Sequence, residues 1–298
     1  MPADQLNITI IQPDLVWEDK EANLKQLESF IAAIKDKREV VVLPEMFTTG
    51  FSMRPKHLAE TMDGVSVKWM KNIASKYRCI ITGSLIIEED GKFYNRLLWM
   101  QPDGKYGVYD KRHLFAYAHE DEHYTAGERK LIVSVKGWKI CPLICYDLRF
   151  PVWSRNSLTL APSEREGVPN AKEDFYEADS HSQMYGKSNA IGESRKEAYD
   201  VLLYVANWPQ RRSLAWKTLL QARAIENQAY VVGVNRVGTD GKDIKYSGDS
   251  SVFDALGEML WQNTNEVVTH TITLQKESLQ KIRSELPFLK DADQFLLL

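Results

Sequence analysis

Apolar residues along this chain form either short continuous runs, which predict buried β-strands, or repeats of about three to four positions, which predict amphipathic α-helices. The predicted strands are residues 6–11, 39–43, 79–87, 92–101, 131–135, 138–145, 199–205, 229–234, 250–253, 258–261 and 267–274. The predicted helices are residues 18–37, 65–77, 150–156, 213–227 and 275–284. In the helix at 213–227, the residues expected to be buried are Leu214, Leu219, Leu220, Ala224 and Ile225. Because strands and helices alternate over most of the chain, the pattern indicates the α/β class with stacked layers.

One long segment departs from this alternation. Residues 157–198 are polar, contain two prolines and show little apolar periodicity. A stretch of this length without regular structure is unusual inside a compact domain. We therefore interpret residues 1–298 as a single domain with an atypical polar insertion at about 157–198. Because the insertion connects a helix to the following strand, we expect it to lie away from the carboxyl ends of the strands, beside a subunit interface.

The composition of the chain bears on which classes of partner it binds and in which cellular compartment it works. The 298 residues are 44% hydrophobic, and the net charge of -3 is spread over interspersed acids and bases. This balance favours a substantial core and argues against nucleic acid or an anionic membrane as a partner. No apolar run is long enough to span a bilayer, and the first residues lack the features of a signal peptide. The three cysteines, Cys79, Cys141 and Cys145, do not form a disulfide framework, so we expect a cytoplasmic location.

Cys145 stands at a position that favours chemistry. The apolar strand predicted at 138–145 ends on this cysteine and is followed at once by Tyr-Asp-Leu-Arg. In α/β folds, ligands bind at the carboxyl ends of strands. If a helix follows, its first N–H groups would favour a thiolate. Taken alone, a cysteine here is more often a core residue than a nucleophile, and Cys79 and Cys141 are predicted to be core residues.

A nucleophilic thiol needs a base, and the base is either a histidine or a carboxylate. No histidine lies in a motif typical of cysteine proteases, and the loose spacing of His113, His119 and His123 does not predict a metal site. Glu45 follows the strand predicted at 39–43, as Cys145 follows its own strand. Taken alone, Glu45 would be interpreted as a surface carboxylate and Cys145 as a core residue. Together with a nearby cation they would supply a base, a nucleophile and stabilisation of an oxyanion.

Lys111 is that cation, because it comes just after a β segment in the sequence Asp-Lys-Arg-His-Leu-Phe at 110–115. With Leu-Pro-Glu-Met-Phe at 43–47 and Ile-Cys-Tyr-Asp-Leu-Arg-Phe-Pro at 144–151, this motif resembles the nitrilase superfamily of carbon–nitrogen hydrolases. The resemblance covers nearly the whole chain. It implies a Glu45–Lys111–Cys145 triad, a four-layer α-β-β-α sandwich, and a homodimer or higher homo-oligomer.

Two of the motifs are similar to those of the ω-amidase branch, namely Cys-Tyr-Asp-Leu-Arg-Phe-Pro and Ala-Asn-Trp-Pro at 206–209. Members of this branch hydrolyse the terminal amide of 2-oxoglutaramate and 2-oxosuccinamate to the dicarboxylate and ammonia. The resemblance also implies a second, supporting glutamate, for which Glu120 is the best match and Glu122 the competing choice. No cofactor and no metal are needed for this chemistry, and the expected partner is a small-molecule amide.

Further residues are assigned to the substrate. Phe115 and Trp208 are predicted to form pocket walls, and the backbone N–H of Tyr146 is predicted to bind the oxyanion with Lys111. A substrate carboxylate requires a cation, which is supplied by one of Arg149, Arg211 and Arg212. Arg149 is included among the substrate-binding residues, although it could equally pair with Glu226. Two alternatives stay open, another carbon–nitrogen hydrolase acting on an N-carbamoyl compound or a nitrile, and a non-catalytic scaffold.

Overall fold

The computed structural model describes residues 3–156 and 198–293. Its helices are α1 Lys20–Ala33, α2 Pro55–Leu58, α3 Val65–Tyr77, α4 Glu120–His123, α5 Pro151–Ser154, α6 Ser213–Asn227 and α7 Lys276–Glu285. Its strands are β1 Gln5–Gln12, β2 Val40–Val42, β3 Ile80–Glu89, β4 Lys92–Met100, β5 Tyr106–Asp110, β6 Val133–Val135, β7 Trp138–Ile144, β8 Val201–Val205, β9 Tyr230–Val234, β10 Val237–Thr239, β11 Lys245–Phe253, β12 Met259–Thr264 and β13 Val268–Gln275. The insertion predicted at about 157–198 lies outside the described residues, apart from Ala198.

The strands form two sheets, each built around three parallel strands. The first sheet has the order β13-β1-β2-β3-β4-β5, in which β1, β2 and β3 are parallel and the other pairings are antiparallel. The second has the order β10-β11-β9-β8-β7-β6, with β7, β8 and β9 parallel and β12 paired to β11. Because β4 and β5 reverse direction in turn, β5 ends at the same edge of the first sheet as β2.

Alternation along β2 shows how the layers are assembled. Val40 and Val42 face the second sheet and join a core that contains Trp99, Trp138 and Tyr204. Val41 faces the opposite way and packs with apolar residues of α1 and α3, which cover the outside of the first sheet. Helix α6 packs with β7, β8 and β9 of the second sheet. The protein is therefore a four-layer α-β-β-α sandwich, and the predicted fold class is confirmed.

Helix α6 buries a face that agrees only in part with the one predicted. Its buried residues are Trp216, Leu220, Arg223, Ala224 and Asn227, which recur about every three to four positions along one stripe. Of the residues expected to be buried, Leu214 is 79% exposed and Ile225 is 52% exposed. The stripe lies close to β9, where a Cβ on Gly233 would come within 2.5 Å of Leu220. The prediction is confirmed for Leu220 and Ala224 and was wrong for Leu214 and Ile225, because it combined apolar residues from two sides of the helix.

Among residues 3–156 and 198–293, no helix has the length and apolar character required to cross a bilayer.

Candidate active site

Glu45 lies in the turn that follows β2, and its side chain is completely buried. Its Oε1 atom accepts hydrogen bonds from Asn95 Nδ2 at 2.8 Å and from Lys111 Nζ at 2.9 Å. Its Oε2 atom accepts a hydrogen bond from the backbone N–H of Asn207 at 2.8 Å, and Asn207 Nδ2 donates to the Glu45 carbonyl at 2.6 Å. These contacts come from both sheets, since Asn95 belongs to β4 and Asn207 follows β8. The carboxylate is thus fixed on both oxygens where the two sheets meet.

Lys111 follows β5 directly and is also buried. Besides Glu45, its Nζ atom donates to Glu120 Oε1 at 3.0 Å and Oε2 at 2.8 Å. Burial alone would lower the pKa of Lys111, but the negative charges of Glu120 and Glu45 outweigh burial and raise the pKa above its usual value. The ammonium group therefore stays charged at every physiological pH.

Glu120 is the first residue of α4 and is completely buried. It accepts a hydrogen bond from the backbone N–H of Phe115 at 2.6 Å, in addition to those from Lys111. Burial is the main cause that raises the pKa of Glu120, and the charge of Glu45 adds to the increase. The competing Glu122 is exposed and hydrogen bonds to His119 at 2.8 Å. Of the two glutamates, only Glu120 contacts Lys111.

Cys145 comes immediately after β7 and begins a five-residue 3₁₀ turn, Cys145–Arg149. Its φ of 45° lies in the left-handed region, which is uncommon for a residue other than glycine. Burial raises the pKa of the thiol well above its usual value, and the negative charge of Glu45 raises it further, while Lys111 lowers it. The Glu45 side chain thus lies close enough to the thiol to interact with it directly. The expectation of a thiolate stabilised by a following helix was therefore wrong, because the turn is short and the thiol is buried beside carboxylates.

This arrangement can carry out nucleophilic acyl chemistry. Glu45 lies close enough to the thiol to raise its pKa, and a carboxylate in that position can accept the thiol proton. Lys111 holds a permanent positive charge beside the same carboxylate, where it can stabilise a developing oxyanion. The structure thus brings together the four residues Glu45, Lys111, Glu120 and Cys145.

Aromatic side chains pack against one another at the 3₁₀ turn that begins at Cys145. The rings of Tyr146 and Phe115 meet edge to face with centroids 4.9 Å apart, and Phe150 contacts Tyr146 at 5.1 Å. Trp208 is buried, and its Nε1 atom donates to the Arg212 carbonyl at 2.8 Å. Arg149 is exposed and stacks over Trp208 at 5.0 Å, whereas Glu226 pairs with Arg223 at 2.9 Å. The alternative pairing of Arg149 with Glu226 was therefore wrong.

The three histidines weighed as metal ligands have no common centre. His113 Nδ1 bonds to Asp147 Oδ1 at 2.8 Å, and His119 bonds to Glu122. In the part of the chain that the structure describes, no three His, Cys, Asp or Glu side chains are grouped as a metal site requires.

Comparison with known proteins decides the family. The model of the carbon–nitrogen hydrolase family matches residues 7–164 and 194–284. The chain belongs to the carbon–nitrogen hydrolase family. It is 40% identical over 294 residues to an omega-amidase, YafV, of Yersinia enterocolitica, covering 98% of this chain and 99% of that protein. It is 29% identical over 289 residues to a 2-oxoglutaramate amidase of Bacillus subtilis, covering 95% and 96% of the two chains.

A solved structure of a protein from the same superfamily has a similar fold. A carbon–nitrogen hydrolase superfamily protein of Xanthomonas campestris, which carries an arsenic adduct in its active site, has a TM-score of 0.86 and 37% identity. The match covers 99% of this chain and 100% of that chain.

Sequence reasoning missed several polar residues of this carbon–nitrogen hydrolase site. Asn95 and Asn207 fix the Glu45 carboxylate, and Asp147 hydrogen bonds to the backbone N–H of Ile144 at 3.0 Å, next to Cys145. Asn207 and Asp147 lay within the quoted motifs, so their position beside assigned residues was an available signal. Asn95 offered a weaker signal, a polar residue at the start of a buried stretch of β4.

Proposed function

We propose that the protein hydrolyses the terminal amide of small keto-acid amides, such as 2-oxoglutaramate and 2-oxosuccinamate, to the dicarboxylate and ammonia. The observation that carries this proposal is the buried Glu45 carboxylate, which accepts a hydrogen bond from the Lys111 ammonium group and interacts electrostatically with the Cys145 thiol. Amide hydrolysis is the reaction class that the omega-amidase and 2-oxoglutaramate amidase relatives support. The choice of a keto-acid amide rests on the same two relatives.

The first half-reaction forms a thioester. Glu45 accepts the thiol proton while the sulfur of Cys145 attacks the amide carbonyl carbon. The oxyanion that develops is stabilised by the Lys111 ammonium group and by the backbone N–H of Tyr146. An ammonium group has three N–H donors, and Glu45 together with the two oxygens of Glu120 lies within hydrogen-bonding distance of all three. One N–H serves the oxyanion when it leaves one of the two Glu120 oxygens. The C–N bond then breaks as Glu45 returns the proton to the departing nitrogen, which leaves as ammonia.

The second half-reaction hydrolyses the thioester with water. Glu45, again ionised, accepts a proton from water as its oxygen attacks the thioester carbonyl carbon. The C–S bond breaks, the carboxylic acid leaves, and Glu45 gives the proton back to the sulfur. Glu120 acts as a positioning residue, because both of its carboxylate oxygens accept hydrogen bonds from the Lys111 ammonium group that also contacts Glu45. No cofactor takes part in either half-reaction.

The test of this mechanism compares two variants, each with one cysteine replaced by alanine. One cysteine is Cys145, and the other is Cys141 in β7. Cys145→Ala should lower ammonia release from 2-oxoglutaramate by about 10³-fold or more, because removing a nucleophile leaves only binding and oxyanion stabilisation. Cys141→Ala is the matched control, since Cys141 is a buried core cysteine on the strand that precedes the nucleophile. It should retain turnover at nearly the original rate. Substantial ammonia release by folded Cys145→Ala would reject the nucleophile assignment.

The same assay separates the competing substrates. Ammonia release is measured from a keto-acid amide, a carbamoyl amino acid and a nitrile under identical conditions. A preference for the keto-acid amide supports the proposal, whereas a preference for either of the others replaces it. If Cys145 of the folded protein resists iodoacetamide and no substrate is hydrolysed, the scaffold alternative is favoured.

We also propose that the protein works in the cytoplasm. Cys79, Cys141 and Cys145 are all free thiols in the structure. A nucleophilic cysteine must stay reduced to act, and the cytosol maintains thiols in that state.

A further inference from the structure

Two arginines lie over aromatic rings of the site, and a third is the neighbour of one of them. We call the three the arginine cluster: Arg149, Arg211 and Arg212. Arg149 ends the 3₁₀ turn that begins at Cys145, and the other two end the 3₁₀ turn Gln210–Arg212 that precedes α6. The Arg212 guanidinium group lies over the Phe115 ring at 5.1 Å, and Arg149 lies over Trp208 at 5.0 Å. The cluster therefore borders both predicted pocket walls.

Among the described residues, the arginine cluster is not paired with any carboxylate. Within residues 3–156 and 198–293, no carboxylate lies within 4.0 Å of any of its guanidinium groups. The most buried arginines of the protein behave differently, because each contacts a carboxylate: Arg96, Arg223 and Arg236. Grouped like charges without a partner are unfavourable, so the cluster points to an anion that the protein is built to receive.

Arg212 is the member of the cluster best placed to meet that anion. It is half-buried, whereas Arg149 and Arg211 are exposed. Burial lowers the pKa of Arg212, the positive charges of Arg211 and Arg149 lower it further, and Cys145 acts in the opposite direction. The backbone of Arg212 is fixed, since its carbonyl accepts the hydrogen bond from Trp208 Nε1 at 2.8 Å. A guanidinium group that is attached to a fixed backbone and interacts electrostatically with Cys145 is suited to orient a short substrate.

We propose that Arg212 binds the carboxylate at the far end of the substrate, while Arg149 and Arg211 raise the local positive potential. This inference rests on the proposed function, because it supplies the residue that selects amides bearing an acid over neutral amides. The planar guanidinium fork matches a carboxylate with two parallel hydrogen bonds. In the described part of the chain, the Arg212 side chain donates no hydrogen bond that such a substrate would have to displace.

The first experiment compares kcat/KM for 2-oxoglutaramate and for butanamide, a neutral amide of similar length. Arg212→Gln should lower kcat/KM for 2-oxoglutaramate about 10- to 100-fold, mainly through KM, and leave butanamide within about threefold. Arg212→Lys keeps a point charge without the fork and should recover part of the loss. Lys68→Gln is the matched control, since it removes one positive charge from the exposed side of α3. It should leave kcat/KM unchanged for both substrates.

A second experiment needs no turnover. The rate of alkylation of Cys145 is measured at low salt with anionic iodoacetate and with neutral iodoacetamide. If Arg212 attracts anions, Arg212→Gln should lower the iodoacetate-to-iodoacetamide rate ratio about fivefold or more, and Lys68→Gln should not change it. An unchanged ratio together with an unchanged KM for 2-oxoglutaramate overturns the inference while the proposed function stands. If the unmodified protein fails to hydrolyse 2-oxoglutaramate, the proposed function fails and the alkylation ratio alone decides the role of Arg212.

Discussion

At the scale of single residues, the balance of charge around Cys145 determines how the thiol is activated. Two buried carboxylates, Glu45 and Glu120, surround one ammonium group, that of Lys111. Both carboxylates oppose ionisation of the thiol, and burial opposes it most of all. The resting state of Cys145 is therefore a neutral thiol beside Glu45, the base that we propose for it. This differs from cysteine enzymes that store a thiolate on a cation or a helix N-terminus.

The pH dependence of alkylation tests this state. Because the pKa of the Cys145 thiol is raised, its thiolate fraction is small at neutral pH and grows about tenfold for each pH unit. The rate of iodoacetamide labelling, followed by mass spectrometry of the Cys145 peptide, should therefore still rise at pH 9. Urea-unfolded protein is the control, and its labelling should level off near the ordinary thiol pKa of about 8.5.

Glu45→Gln extends the same measurement. Removing the carboxylate charge should lower the pKa of Cys145, so labelling at pH 7 should accelerate while ammonia release is lost. A labelling plateau below pH 8 in the original protein would contradict the neutral thiol. Normal turnover by Glu45→Gln would reject Glu45 as the base.

At the scale of elements, Asp147 controls the turn that carries the nucleophile. Its Oδ2 atom accepts hydrogen bonds from the backbone N–H of Ile144 at 3.0 Å and from the Tyr109 hydroxyl at 2.7 Å. Its Oδ1 atom accepts the backbone N–H of His113 at 3.0 Å. These contacts connect the end of β7 to β5 and to the loop that follows it, so Asp147 links the positions of Cys145 and Lys111.

Asp147→Asn should therefore lower both stability and activity. Both oxygens of Asp147 accept hydrogen bonds, so the NH₂ group of the asparagine would place a donor against donors. We therefore expect a loss of about 3 kcal/mol in the free energy of unfolding, measured with urea. Turnover should fall about tenfold or more, because small shifts of a nucleophile are costly. Asp200→Asn is the control, since Asp200 bonds to Lys139 N–H and Arg283 just before β8, at the opposite end of the sheet. Equal losses of kcat in both variants would show that Asp147 has only a structural role.

The sequence predicted the bounds of helices and strands well where the periodicity of apolar residues continues along the whole element. The helices Val65–Tyr77 and Ser213–Asn227 match their predicted bounds, because apolar periodicity continues through each of them. The short elements α2, α4 and β10 were not predicted, since they contain too few residues to show a period and depend on distant contacts. Similarly, Glu45 and Cys145 were found because each follows a strand, whereas the pairing of Asn207 with Glu45 joins residues from different sheets.

At the scale of the whole molecule, apolar side chains remain on the outer side of α6. Leu214 and Ile225 lie on the same side of the helix, because eleven residues make about three turns. Leu256 and Met259, on the hairpin of β11 and β12, are 48% and 51% exposed, and a Cβ on Gly257 would come within 2.5 Å of Ile225. We propose that a second copy of the chain covers this surface and forms a homodimer.

Sedimentation velocity tests the homodimer. Ile225→Glu places a charge at the centre of the proposed interface, so it should shift the protein from dimer to single chain by about tenfold or more in dissociation constant. Val65→Glu is the matched control, because Val65 is 65% exposed at the start of α3, on the outside of the first sheet. It should leave the dimer intact. Each chain contains Glu45, Lys111 and Cys145, so a single chain should keep its turnover. Dissociation should reduce turnover only if it weakens the contact of α6 with the 3₁₀ turn, where Arg223 donates a hydrogen bond to the Leu148 carbonyl at 2.7 Å. An unmodified protein that sediments as a single chain at all micromolar concentrations would refute the homodimer.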